Sequence, residues 1–283
     1  LRAIVGLRGD YYDWDVNASL RANSDTGDDA LLSPKAGLAL RLAAPLEAYA
    51  SWGRGFHSND VRGATISVDP ASGEPTTPVD ALARSEGAEL GLRVEFGDTF
   101  NAALALFRVE LDSELVYVGD AGGTEVNDAT EREGIEVNAF WQPLEGLALN
   151  AAYAYTDAAF KQDQGGGREI PGAVKETFTF GINGFLPGGA TASLRLRYLG
   201  EAPLNEAGSV KSSDSWLVNA GGGFSLGRLD FRLEVFNLLD STDDDIAYYY
   251  ASRLPGEDAG GVEDVHFHPL EPRSVRGTVR YRF

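Results

Sequence analysis

Val275-Arg276-Gly277-Thr278-Val279-Arg280-Tyr281-Arg282-Phe283 ends the chain in strict alternation, an apolar or small residue followed by a polar or cationic one, and stops on an aromatic. A period of two belongs to a β-strand, whose successive side chains point to opposite faces. Val275, Gly277, Val279, Tyr281 and Phe283 share one face; Arg276, Thr278, Arg280 and Arg282 share the other. The two faces suit different solvents. One such strand fits either a soluble sandwich, which would bury the apolar face, or a membrane barrel, which would turn it to lipid. The rest of the chain has to separate these.

Working back from the C-terminus, the alternation recurs in pairs. Residues 217–226 turn at Gly227-Arg228 into 231–235, and 177–185 turn at Pro187-Gly188-Gly189 into 192–198. Residues 135–141 turn at Pro143-Leu144-Glu145-Gly146 into 147–155, 89–96 turn at Gly97-Asp98 into 100–111, and 36–42 turn at Ala44-Pro45 into 46–52. Every turn within a pair is short. Between pairs lie longer polar connections, over 17–33, 56–85, 118–131, 160–175, 200–214 and 240–272. A soluble sandwich has no reason to separate loop lengths in this way, whereas an outer-membrane barrel has short periplasmic turns and long extracellular loops. Each segment carries about 9 to 11 residues of alternation, enough for a tilted strand to cross the hydrocarbon layer. Aromatics such as Tyr11, Trp14, Trp52, Trp141, Tyr155, Tyr198, Trp216 and Tyr281 sit near segment ends, where interfacial girdles place them. The expected fold is all-β: a transmembrane antiparallel up-and-down β-barrel with about twelve strands in this chain.

Composition narrows the function classes. The 283 residues are 43% hydrophobic and 24% charged, which argues for folded structure, and the net charge of -19 disfavours nucleic acid as a partner. No apolar run reaches the length of a transmembrane helix. Without cysteine, neither disulfides nor thiolate chemistry are available. Acids crowd the connections, as in Asp25 to Asp29 and Asp240 to Asp245, while arginines fall inside the strands.

Several of these segments, in this order, resemble TonB-dependent outer-membrane receptors. They are Ser33-Pro34-Lys35-Ala36-Gly37-Leu38 with Tyr49-Ala50-Ser51-Trp52-Gly53-Arg54-Gly55-Phe56-His57-Ser58-Asn59-Asp60, then Ser85-Glu86-Gly87-Ala88-Glu89-Leu90-Gly91, Arg132-Glu133-Gly134-Ile135-Glu136, Val235-Phe236-Asn237-Leu238-Leu239-Asp240 and the terminal Phe283. The resemblance covers essentially the whole chain, and its specificity lies in the ordered set. It implies a barrel of about 22 strands filled by an N-terminal plug, preceded by a TonB-binding segment. This chain has room for about half of those strands. It shows no plug-like segment, and Leu1-Arg2-Ala3 lacks a signal-peptide pattern. Residues 1–283 are therefore expected to be a single domain, the C-terminal portion of a receptor barrel.

The implied function is TonB-dependent uptake of a scarce nutrient across a Gram-negative outer membrane, foremost a ferric siderophore or similar metal chelate, with no cofactor and no catalytic residue. Cobalamin and oligosaccharides also use this architecture, because fold does not fix cargo. The alternative is a small passive pore made by a reduced twelve-stranded barrel. Implied partners are outer-membrane lipid and a small-molecule or metal-chelate ligand. TonB and the plug would act through upstream segments, and the barrel-assembly machinery would read Phe283.

Ligand contacts are expected in the long loops, at Arg54, His57, Tyr248, Tyr249, Tyr250, His266, Phe267 and His268. His266 and His268 fall on one side of an extended segment beside Glu263 and Asp264, but two convincing donors are fewer than a metal site needs. Asp240, Asp243, Asp244 and Asp245 do not form an EF-hand, since Ala251 stands where the bidentate glutamate belongs. Gly223-Phe224-Ser225-Leu226-Gly227 has the letters of a nucleophile elbow, yet lies in a hairpin rather than a strand-turn-helix. A charge on a lipid face costs about 2 to 4 kcal/mol at midplane. The strand arginines Arg41, Arg93, Arg195, Arg197, Arg232, Arg276, Arg280 and Arg282, with Glu95, Glu136 and Glu234, are therefore expected to face the lumen.

Overall fold

The computed structural model describes residues 1–70, 73–118 and 123–283, and for 114–118 and 123–127 the backbone alone. In chain order the strands are β1 (Arg2–Val16), β2 (Asp25–Ala43), β3 (Leu46–Ser58), β4 (Leu82–Phe96), β5 (Phe100–Leu111), β6 (Glu114–Val118), β7 (Gly123–Asn127) and β8 (Thr130–Leu144). They continue with β9 (Leu147–Phe160), β10 (Glu176–Leu186), β11 (Ala190–Leu199), β12 (Ser215–Leu226), β13 (Leu229–Phe236), β14 (Asp244–Ser252), β15 (Val262–Pro269) and β16 (Ser274–Tyr281). One helical turn, α1 (Val61–Ala64), lies in the connection after β3.

Twelve of these strands form one antiparallel meander in the order β1-β2-β3-β4-β5-β8-β9-β10-β11-β12-β13-β16, while β6-β7 and β14-β15 are separate hairpins. The twelve-stranded expectation holds. The sheet is open, since β1 and β16 do not pair with each other. Short turns join β2 to β3, β4 to β5, β8 to β9, β10 to β11 and β12 to β13 at one rim. Gly97, Gly146, Gly188 and Gly227 hold four of these turns at positive φ, where a Cβ would be strained.

Three connections are shorter or more structured than the apolar alternation suggested. β1 and β2 remain paired out to Val16↔Asp25, so only residues 17–24 connect them. The connection expected over 118–131 carries β7 and the start of β8, and its residues 119–122 lie outside the described residues. The one over 240–272 carries the β14-β15 hairpin. Beyond the membrane both faces of a strand meet water, so backbone pairing continues after apolar alternation has stopped. The Asp13↔Asp28 and Tyr12↔Asp29 pairs show this.

Register makes the face assignment collective. The cross-strand row Leu40, Ala48, Leu92, Leu104, Val137, Tyr153, Phe178, Tyr198 and Trp216 crosses β2 to β12 without a charged residue. On the last strands the same face shows Val235 against Val275, Leu233 against Gly277 and Phe231 against Val279. Many side chains of this face are exposed in the chain alone, with Leu40 at 45% and Val279 at 64%, and others, such as Leu104 and Phe178, are half-buried. The row starts beside a short turn at Leu40 and ends at the far end of β12 at Trp216, because strands in a barrel tilt and a perpendicular row climbs. A one-residue slip anywhere would turn a whole strand over.

Candidate functional site

The opposite face is polar. Arg41, Glu47, Arg93, Ala103, Asn138, Ala152, Thr179 and Arg197 form one of its rows. Arg195, Arg232, Arg276 and Arg280 share this face through their pairing with Asn219, Gly223, Glu234 and Asp230. Several of its charges neutralise one another locally. Glu47 accepts Arg2 at 3.3 Å and lies 3.7 Å from Arg93, Arg232 pairs with Glu234 at 2.9 Å, and Arg282 with Asp230 at 2.7 Å. Arg276 lies over the Phe236 ring at 5.0 Å. Tyr49 lies flat over Gly91, hydrogen-bonds Glu89 and carries Arg93 over its ring at 4.2 Å. An alanine at position 91 would collide with the Tyr49 ring. Gly91→Ala is expected to lift Tyr49 off the wall and cost about 1 to 3 kcal/mol, read as a lower urea midpoint for the barrel in detergent; an unchanged midpoint would show that the ring is free to move.

At the rim opposite the short turns, β14 and β15 divide the expected ligand residues between two faces. Tyr248 is opposite His266 and Tyr250 opposite Asp264, so with His268 they lie on one face; Tyr249 and Phe267 lie on the other. His266 stacks on Tyr250 with ring centroids 3.9 Å apart, and its Nε2 is 2.7 Å from Ser252 Oγ. His266 Nδ1 is buried with no hydrogen-bond partner among the described residues. The Tyr249 hydroxyl donates to Glu263 at 3.1 Å. Arg197 reaches up from the polar face to Asp245 at 3.0 Å, tying the hairpin to the wall. Among the described residues no cluster of three or more His, Asp or Glu is placed to hold a metal ion.

Asparagines fasten these outer segments. Asn237, 1% exposed and at φ 48°, donates Nδ2 to the carbonyls of Ser241 (2.8 Å) and Glu271 (3.0 Å), and its Oδ1 accepts the Ser241 N–H at 2.9 Å. It thereby clips together the two ends of the segment that carries β14-β15. Asn59 donates to the Asp80 carbonyl at 2.7 Å, and its backbone N–H donates to that of Ala81 at 2.9 Å. His57 leans on this clip, with Nε2 3.2 Å from Asn59 Oδ1. No hydrogen bond, ion pair or ring contact among the described residues joins His57 or Arg54 to the β14-β15 hairpin.

Asp60 caps α1 by accepting the Arg62 N–H at 2.9 Å, and its carboxylate also holds the Arg62 guanidinium. The Arg62 side-chain bonds, then its backbone N–H, hold the Asp60 carboxyl down at about 2. An acid depressed on folding stabilises above its unfolded value near 4 and loses that contribution as pH falls through the folded value. Amide exchange at Gly63 and Thr65 is therefore expected to stay slow down to about pH 4 and to quicken toward pH 2, modestly because the pair is exposed. Exchange indifferent to pH, after correction for intrinsic rates, would contradict this.

Arg54 lies on the outward face. Trp52 Nε1 and Arg54 Nε donate to the two oxygens of Glu86 at 2.8 and 2.9 Å, and Arg54 lies over the Trp52 ring at 5.8 Å. It starts a charged belt just beyond the apolar one: Arg108 pairs with Glu110 and Glu131 at 3.0 Å, Arg168 with Glu131 at 2.7 Å, and Lys175 with Glu169 at 2.9 Å. Glu169 raises the Lys175 ammonium above its ordinary range. The switch from apolar to ionic marks the outer edge of the hydrocarbon layer.

Residues 1–238 match the family model described as TonB dependent receptor-like, beta-barrel. The chain belongs to this TonB-dependent receptor family. Solved receptors share its fold. The ferric-catecholate import receptor Fiu of E. coli K12 superposes with a TM-score of 0.74 at 19% identity, over 99% of this chain and 42% of that one. The copper transporter OprC gives 0.74 at 18% identity, over 99% and 44%. BauA, the ferric preacinetobactin receptor of Acinetobacter baumannii, gives 0.70 at 18% identity, over 99% and 40%. The chain thus spans about two fifths of the length of the receptors it matches. Receptors of this family are outer-membrane transport proteins that bind small molecules and work with TonB and a plug, and catalysis is not their function.

Proposed function

We propose that this chain is the C-terminal barrel portion, a single domain over residues 1–283, of an outer-membrane receptor for TonB-dependent uptake of a ferric siderophore or similar metal chelate. The observation that carries the reading is the two-faced sheet. An apolar face runs in register across the twelve-stranded sheet, and a polar face with several locally paired charges backs it. In this reading Arg93, Arg195, Arg197, Arg232, Arg276, Arg280 and Arg282 line the lumen and meet the plug. Tyr248, Tyr249, Tyr250, His266, Phe267 and His268, with Arg54 and His57 further round the rim, meet ligand. Phe283 is the signal for the barrel-assembly machinery. Similar structures carry names of ferric-chelate receptors and of a copper transporter, which supports a chelated metal as cargo.

The test is uptake of radioiron supplied as ferric catecholate and as ferric citrate. Cells expressing the whole receptor are compared with cells lacking it, and with cells lacking TonB. Accumulation that requires both proteins supports the reading; accumulation independent of TonB refutes it. A passive twelve-stranded pore would require β1 to pair with β16, which they do not. Steady open-channel current from the purified chain in a planar bilayer would favour the pore instead.

A further inference from the structure

Above Lys35 and Gly53 the wall splits. β2 and β3 pair from Ala43↔Leu46 up to Lys35↔Gly53 and no further, although β2 continues to Asp25 and β3 to Ser58. β1 follows β2 to its end and β4 follows β3, so only the β2-β3 seam opens. The top is rejoined. Asn23, between β1 and β2, donates Nδ2 to the Val68 carbonyl at 2.7 Å and accepts the N–H groups of Ser67 and Val68 at 3.0 Å. The seam therefore forms a window with a floor, two strand sides and a roof, around a cavity of about 670 Å³.

The lining of this window is cationic. Arg8, Lys35 and Arg54 line it with Tyr12, Phe56 and His57, and none of its lining residues is acidic. Lys35 lies across Gly6, where a Cβ would stand 2.7 Å from its Cε, and makes no ion pair or hydrogen bond among the described residues. Arg8 lies over the Phe56 ring at 5.7 Å and spends Nε and Nη2 on Asp10. Arg54 spends Nε on Glu86. An ammonium without a counter-ion, beside two guanidiniums with N–H groups to spare, is a donor set for phosphate or carboxylate oxygens. The chain as a whole repels anions, with a net charge of -19. That field is screened beyond roughly 8 to 10 Å in physiological salt, so contact groups decide what is held here: Asp10 offsets Arg8 and Glu86 offsets Arg54, which leaves the Lys35 ammonium as the uncompensated charge of the lining.

We propose that the β2-β3 window is an oxyanion-binding site in which Lys35 and Arg8, on the polar face, hold a phosphate or carboxylate group, with Arg54 at its outward edge. Arg54 sits one step beyond Trp52 at the edge of the apolar belt. An anionic headgroup of the outer leaflet and a soluble polyanion can therefore both reach the window.

The test uses the full receptor with Lys35→Gln and Arg8→Gln, and with Lys211→Gln, whose partner is Glu201 outside the window, as the control. In zwitterionic detergent, citrate and inorganic phosphate are titrated by tryptophan fluorescence. In phosphatidylcholine bilayers doped with phosphatidylglycerol, retained phosphatidylglycerol is counted by native mass spectrometry. Loss of one charged contact should weaken binding about tenfold or more, while Lys211→Gln leaves it unchanged. A weakened citrate or phosphate titration assigns a soluble source, and lost phosphatidylglycerol alone assigns a headgroup. Either supports the site. Lys35→Gln without effect on both, or a parent receptor that binds none of the three, overturns it. Lys35 is exposed and unpartnered, so its variant should fold even if Arg8→Gln does not. Both readouts are equilibrium binding, so a failure of energised uptake leaves this result standing, and the converse holds too.

Discussion

Asn237→Ala should lower the free energy of opening the segment between β13 and β16 by about 3 to 5 kcal/mol. The side chain satisfies two carbonyls and one N–H from both ends of that segment while almost wholly buried. Alanine would leave three backbone groups without partners, each at about 1 to 3 kcal/mol before water relieves part of it. The left-handed backbone at φ 48° adds to the cost, because asparagine tolerates it better than alanine. Amide exchange at Ser241 and Leu270 reads the effect. Asn237→Asp keeps the acceptor and loses the donors, so it should fall between parent and alanine. Unchanged protection in the alanine variant would mean that the β14-β15 hairpin is held by Arg197–Asp245 instead.

The second large effect comes from two neighbouring residues with opposite surroundings. Val137 lies in the middle of the apolar row on β8, between Leu104 and Tyr153; Asn138 lies between Ala103 and Ala152 on the polar face. Val137→Arg should cost about 2 to 4 kcal/mol in a bilayer, the depth-dependent penalty for a cation at the lipid midplane. Asn138→Arg should stay within about 0.5 kcal/mol, as for an exposed polar site. Urea unfolding from lipid vesicles measures both. Equal costs, or the reverse order, would show that the faces have been assigned the wrong way round.

Much of this was legible in the residues because a period of two survives any arrangement of neighbours. The short turns at Ala44-Pro45, Gly97-Asp98 and Gly227-Arg228, and the alternation of Val275 to Phe283, required no tertiary information. Where both faces of a strand meet water the signal vanished. For that reason the outer part of β2, from Asp25, read as loop, and β14-β15 lay hidden in an acidic, tyrosine-rich stretch. The division of Tyr248, Tyr250, His266 and His268 from Tyr249 and Phe267 follows from hairpin register, which a turn of uncertain length conceals. Arg54 read as a loop residue, but the parity it shares with Trp52 turns it outward beside Glu86. Lys35 lay in a segment that carries the family resemblance and Arg8 in none, and nothing in the sequence set the two beside each other. Their meeting depends on where β2 stops pairing with β3.

From the sequence alone came the number of wall strands, the two-solvent character of each and the rim from which the long loops rise, because these depend on local alternation and turn chemistry. Only the tertiary structure decided which residues stand opposite one another. It set the Asn237, Asn59 and Asn23 clips, the charged belt from Arg54 to Lys175, and the seam above Lys35 and Gly53. Each of these is a contact between positions distant in the chain, fixed by register and strand tilt rather than by neighbours in sequence.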